Sequence, residues 1–107
     1  VELYVTDHGG WRIVECVGEL DLASAPALRS EAVRQLAQGH RRLAVDLTLC
    51  DFIDSFGLGM IVAVLKRVRT LDGELAVVCP EARLRRIFTL TSLDAAFPLP
   101  VTRDELR

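Results

Sequence analysis

Leu43-Ala44-Val45-Asp46-Leu47 and Leu75-Ala76-Val77-Val78-Cys79 each read as a buried strand. Between them, Leu58, Ile61, Val64, Leu65, Val68 and Leu71 recur at helical spacing. A strand, a helix and a second strand in that order leave few folds open. The connecting helix must cross back over the sheet, and such crossovers are right-handed.

The rest of the chain fits around this unit. Leu3–Thr6 reads as a first strand, and Asp7-His8-Gly9-Gly10 as a turn whose glycines supply positive φ. Trp11–Val17 returns as a second strand with Trp11, Ile13 and Val17 on one face, and Gly18-Glu19-Leu20-Asp21 reads as a loop. A helix then begins at Ser24, a candidate N-cap, with Pro26 in the first turn, where a missing N–H costs nothing. Its apolar stripe is Ala25, Leu28, Ala32, Val33 and Leu36, and Gly39 terminates it. Gly73 closes the helix that follows Ser55. After Pro80, a third helix runs from about Glu81 with Leu84, Ile87, Phe88 and Leu90 turned inward. Ala95–Val101 carries too much proline for a central strand and suits a short edge strand. Thr102-Arg103-Asp104-Glu105 is a capping-box pattern that announces a last helix, expected to be truncated. The order β-β-α-β-α-β-α, with a short strand and a helix start, makes an α/β fold. Its mixed sheet of about four to five strands, opened by a hairpin, packs against about four helices.

At 107 residues and half apolar, the chain is one domain, residues 1–107, with a core that needs no disulfide or metal. The formal net charge of −2 is spread along the chain, and no basic face suits a phosphate backbone, so nucleic acid is not an expected partner. Cys16, Cys50 and Cys79 are odd in number and widely spaced, which fits buried inert thiols rather than disulfides. No signal peptide or membrane-spanning stretch is present, so a cytoplasmic location is expected. Starting on Val1, the sequence is also consistent with a piece of something longer.

The chemistry concentrates at Asp51-Phe52-Ile53-Asp54-Ser55-Phe56-Gly57-Leu58-Gly59-Met60, where an apolar strand has ended and an apolar helix begins. Ser55 falls at a helix N-terminus, with free N–H groups and the positive end of the macrodipole. A phosphate is well tolerated there and adds about −1.5 to −2 charges. The plain alternative is that Ser55 only caps the helix, a role Asp54 fills equally well. Gly57 and Gly59 in a first helical turn cost roughly 1 kcal/mol each relative to alanine. Close packing against a strand and access for a partner backbone both account for them. Asp21, Asp46, Asp51 and Asp54 cluster at strand ends on one edge of the sheet, without diagnostic metal-ligand spacing. Trp11 and Phe88 are expected in the core, and His8 and His40 in solvated turns.

Gly18-Glu19-Leu20-Asp21 and Asp54-Ser55-x-Gly57-Leu58-Gly59, about thirty-five residues apart in this element order, resemble the STAS domain, and specifically the bacterial anti-sigma factor antagonists. Leu90-Thr91-Ser92-Leu93-Asp94-Ala95-Ala96-Phe97 also resembles the family's stretch after the third helix. The resemblance implies a STAS-like fold and a partner-switching role without catalysis or cofactor. It implies binding to an anti-sigma factor that is also a serine kinase, which frees a sigma factor. Phosphorylation of Ser55 ends that binding, and a PP2C-type phosphatase resets it. By the same resemblance, Glu19, Asp21, Asp54, Ser55, Phe56, Gly57, Leu58 and Gly59 form the partner surface, and the free protein is a monomer. The family often has serine or threonine where this chain has Phe56, an aromatic that either contacts the partner or hinders the kinase.

Two other functions remain open from the sequence. In the first, Ser55 is a nucleophile. Ile53 holds the place of the first glycine of a Gly-x-Ser-x-Gly elbow, and only His8 and His40 offer a base. In the second, the chain is a ligand-sensing or scaffolding STAS domain of a larger regulator or transporter that is not phosphorylated.

Overall fold

The computed structural model describes residues 1–107. β1 (Glu2–His8) and β2 (Trp11–Leu20) form an antiparallel hairpin turned by Gly9 and Gly10, at φ of 55° and 86°. α1 (Ala25–Ala37) leads to β3 (Arg42–Asp46), which pairs parallel with β2. β4 (Cys50–Ile53) follows, then α2 (Ser55–Thr70), β5 (Glu74–Val78) and α3 (Ala82–Leu90). The strand order is β1-β2-β3-β5, with β4 beside the far end of β2. The mixed α/β sheet with its opening hairpin is therefore as the sequence implies.

The helices pack on one face of this sheet. There Val14, Cys16, Leu20, Val45, Leu47 and Val77 meet Leu28, Ile61, Val64, Leu84 and Phe88 in one apolar cluster. Phe88 also meets Phe97 edge-on, ring centroids 6.0 Å apart. Each such side chain contributes about 1.5–3 kcal/mol by leaving water. The opposite face carries a smaller cluster, Trp11, Ile13, Ala44 and Ala76, covered by Leu106 near the C-terminus. No helix is long and apolar enough to cross a membrane.

Several local expectations need correction. Gly18–Asp21 is not all loop: β2 continues through Leu20, because β4 supplies a partner for Gly18, Glu19 and Leu20. The register shifts between Gly18 and Glu19, and Gly18 sits at φ 101°, so the strand bends there. Cys50–Ile53 is a strand, not part of the loop before Ser55. Its ends are buried while Asp51 and Phe52 are exposed, so it lacks strand alternation.

Ala95–Val101 is not an edge strand, although the Val77 and Cys79 N–H groups donate to the Pro98 and Pro100 carbonyls. The two prolines accept from β5 but have no N–H to complete a ladder. The capping box of Thr102 and Glu105 forms, but it opens a single 3₁₀ turn, Arg103–Glu105, rather than a helix. With another such turn at Leu93–Ala95, the fold has three α-helices, not about four. Leu90 is 72% exposed because α3 ends there, and Val33, Leu58, Ile87 and Leu71 are only half-buried.

All three cysteines are buried and free. Loss of hydration pushes the Cys16 thiol up to about 12 and the Cys79 thiol up to about 11, and also raises Cys50. Below the ordinary thiol value of 9.0 these groups are neutral in folded and unfolded chain alike. Above it only the unfolded chain ionises, so their contribution is lost as pH rises from 9.0 towards about 12. Urea midpoints measured across this range should fall accordingly. An aromatic disulfide reagent at about pH 8 should label no thiol until denaturant is added. Rapid labelling of the native chain contradicts this burial.

Candidate functional site

The start of α2 is built around Asp54. This residue is extended, at φ −100° and ψ −175°, and its side chain turns back over the helix. Asp54 Oδ1 accepts from the Gly57 N–H at 2.9 Å, while Oδ2 accepts from the Leu22 N–H at 3.3 Å. Its own N–H donates to the Leu20 carbonyl at 3.3 Å, and its carbonyl accepts from the Leu58 N–H at 3.0 Å. One aspartate thus caps the helix and ties it to the end of β2. A carboxylate also suits the positive end of the helix dipole.

Ser55 is therefore the first helical residue and not the cap. It is exposed, and its hydroxyl makes no hydrogen bond within the fold. Helix geometry leaves the N–H groups of Ser55 and Phe56 without intrahelical partners. An anion on the Ser55 oxygen can draw on both.

Asp21 and Ser24 shape the facing loop. Asp21 Oδ1 accepts from the N–H groups of Ala23 and Ser24 at 3.1 and 3.0 Å. The Ser24 hydroxyl accepts from the Asp21 N–H at 2.9 Å and lies 2.7 Å from the Glu19 carbonyl. Ser24 precedes α1 but does not cap it, because its oxygen is committed to this loop. The Ser24 N–H, and then its hydroxyl, hold the Asp21 carboxyl below the usual carboxylate range. Asp21 thus shapes the loop while its charge faces solvent. The Glu19 side chain is exposed on the last stretch of β2.

The two glycines separate. A methyl group on Gly57 would overlap the Leu20 carbonyl oxygen, and the Ile53 side chain lies 3.2 Å from the same point. Close packing of α2 on β2 explains Gly57. A methyl on Gly59 would meet nothing within 4 Å. Packing does not explain that residue, which is exposed.

Exposed apolar side chains stand on the segments that meet at this helix start. Phe56 is 53% exposed, Leu22 61% and Phe52 43%. Leu22 and Phe52 escape sequence reading because neither belongs to a periodic run. Leu22 stands in the loop after β2, and Phe52 in a strand too short to show alternation. Leu58 is half-buried under the helix start. Asp51 is exposed nearby, and its carbonyl accepts from Arg83 of α3 at 2.8 Å.

Asp46 does not join this group. It is 2% exposed and bonds Arg103 at 2.6 Å, so the four aspartates do not share one surface. No three His, Cys, Asp or Glu side chains converge as a metal site. His8 contacts Asp104 at 3.4 Å, beside the β1–β2 turn, and His40 lies between α1 and β3. Neither reaches Ser55 as a base. The three cavities are lined by residues outside 50–59, so the Ser55 surface is not a pocket.

Comparison with known proteins adds to this geometry. The STAS domain family model matches residues 2–106. The anti-sigma-B factor antagonist of Bacillus subtilis is 37% identical over 84 residues, covering 75% of this chain and 72% of that protein. The crystal structure of an anti-sigma factor antagonist from Mycobacterium paratuberculosis superposes with a TM-score of 0.81 at 32% identity, covering 97% of this chain and 88% of that one. The Bacillus cell fate determinant SpoIIAA, in its phosphorylated form, shares the fold with a TM-score of 0.74 at 18% identity, over 97% of this chain and 95% of that one.

The glycines offer a direct check. Gly57→Ala should destabilise the chain by about 1–3 kcal/mol, the range for overpacking, as read by urea unfolding. Gly59→Ala should leave it unchanged or stabilise it by up to about 1 kcal/mol. Equal costs at both positions contradict the placement of α2 against Leu20.

Proposed function

The chain belongs to the STAS domain family, and from that premise we propose that it is an anti-sigma factor antagonist switched by phosphorylation of Ser55. The observation that carries the reading is a free, exposed hydroxyl on the first residue of α2, whose cap is supplied by its neighbour. Modification there removes no hydrogen bond from the fold. The partner is an anti-sigma factor with serine kinase activity, and a cytoplasmic location goes with that role.

Unmodified, the surface presents exposed Leu22, Phe52 and Phe56 on the segments that meet at the start of α2. Their removal from water favours a protein partner. Gly59 leaves open space next to Phe56, which supports close approach of a partner backbone. Glu19, Asp21 and Asp54 add negative charge around the apolar patch and favour a basic rim on the partner.

Kinase action moves the γ-phosphoryl group of ATP to Ser55 Oγ, with loss of the hydroxyl proton and release of ADP. The dianion gains from the helix N-terminus by about 0.3–1 kcal/mol, so the fold tolerates it. The interface does not. Burying that charge among apolar groups, beside existing carboxylates, leaves an unpaired charge out of water. Hydrolysis of the phosphoester by a PP2C-type phosphatase restores the hydroxyl and the affinity. The chain itself performs no catalysis in this scheme.

The test pairs Ser55→Ala and Ser55→Asp against a cognate anti-sigma kinase in calorimetric titrations. Ser55→Ala should bind as wild type and take up no phosphate, with wild-type phosphate located on Ser55 by mass spectrometry. Ser55→Asp should bind at least about tenfold more weakly, the factor that accompanies about 1.4 kcal/mol. Equal affinity of the aspartate variant and wild type overturns the reading.

A further inference from the structure

The sheet face opposite the helices is covered by the C-terminal segment, and a single guanidinium spans three strands of that face. Arg103 Nε donates to Asp46 of β3 at 2.6 Å, one terminal nitrogen donates to Glu15 of β2, and the other to Thr6 of β1 at 3.3 Å. Leu106 covers the apolar cluster alongside. Asp46 is 2% exposed, so Arg103 neutralises a carboxylate that water does not reach.

Asp46 faces two ways. While Oδ2 accepts from Arg103, Oδ1 accepts from the Thr48 N–H at 2.9 Å and the Thr48 hydroxyl at 2.6 Å. Thr48 opens the turn that enters β4, closed by the Cys50 N–H on the Leu47 carbonyl at 3.0 Å. The Leu49 carbonyl in that turn accepts from the Gly18 N–H at 3.1 Å, where β2 bends. β4 then ends at Ile53, one residue before Asp54. A cleft of about 390 Å³ separates the turn from the C-terminal segment, with Thr48 and Leu49 on one wall and Val101 and Thr102 on the other. The side chains of Arg103, Asp46 and Thr48 form a continuous hydrogen-bonded tie along it.

We propose that Arg103 is a positioning residue for the Ser55 surface. It holds Asp46, Asp46 holds the Thr48 turn, and the turn sets where β4 delivers Asp54 and the start of α2. The C-terminal segment is then a strap whose docking tunes a partner site on another part of the molecule. That regulatory consequence rests on the function proposed above. The mechanical tie does not, because it consists of contacts within this chain.

Amide hydrogen exchange on the full chain tests the tie without any partner. Arg103→Ala should speed exchange at Thr48, Cys50 and Gly18 by about tenfold or more, with α1 amides unchanged. Arg103→Lys keeps a charge beside Asp46 and should recover part of the protection. Thr48→Val removes the hydroxyl arm on the far side of Asp46 and keeps the N–H arm, so it should loosen Cys50 and Gly18 less than Arg103→Ala does, while the strap amide of Leu106 stays protected. With the kinase, Arg103→Ala should raise KM for phosphorylation of Ser55 and leave kcat unchanged. Uniform acceleration throughout the chain, or no local change in either variant, overturns the proposal. A wild-type chain that no such kinase modifies overturns the proposed function alone, since exchange still judges the tie.

Discussion

The Asp54 carboxylate is the joint on which the candidate site depends. One oxygen caps α2 through the Gly57 N–H, and the other grips the Leu22 N–H in the loop that follows β2. An N-cap of this kind contributes about 1 kcal/mol. Its larger consequence is a division of labour between neighbours. Because Asp54 satisfies the helix, the adjacent serine has no structural duty and its hydroxyl is free. Had Ser55 been the cap, adding a phosphate would remove a hydrogen bond from the helix start. Gly57 makes the arrangement possible from the other side, since any side chain there would push α2 away from the Leu20 carbonyl.

Much of this was legible in the sequence where the signal is local. β3, β5, α1 and α2 follow from apolar runs and helical spacing, and their boundaries shift by a residue or two. The helix start at Ser55 was visible, with Asp54 an equal candidate for the cap; only the hydrogen bond to Gly57 separates them. β4 and the extension of β2 were not legible, because each exists through pairing with the other across about thirty residues of chain. A strand of four residues has no periodicity to detect. Asp46 misled for a related reason. An aspartate at the end of a strand resembles a turn residue, and its counter-ion lies far along the chain at Arg103. Nothing in the local sequence marks that pair. Membership of the partner surface came from the family likeness rather than from residue chemistry, and the exposed Leu22 and Phe52 lay outside that likeness.

The two faces of the sheet have different characters. The helical face is a large apolar core. The opposite face is smaller, partly polar, and covered by a segment held through an ion network and Leu106. The Arg42 guanidinium stacks on Trp11 there, 4.4 Å from the ring centre. Polar networks of this kind contribute less stability than apolar packing of equal volume, but each member is costly to remove alone.

The central claim is that charge can be added to Ser55 without disturbing the fold that presents it. The most direct measurement is a pair of nitrogen–proton correlation spectra, before and after stoichiometric phosphorylation, with unfolding followed on the same samples. The account predicts shift changes confined to residues near 19–24 and 52–59, and an unfolding free energy altered by less than about 1 kcal/mol. Changes spread through the core, or a phosphorylated chain that unfolds, would contradict it.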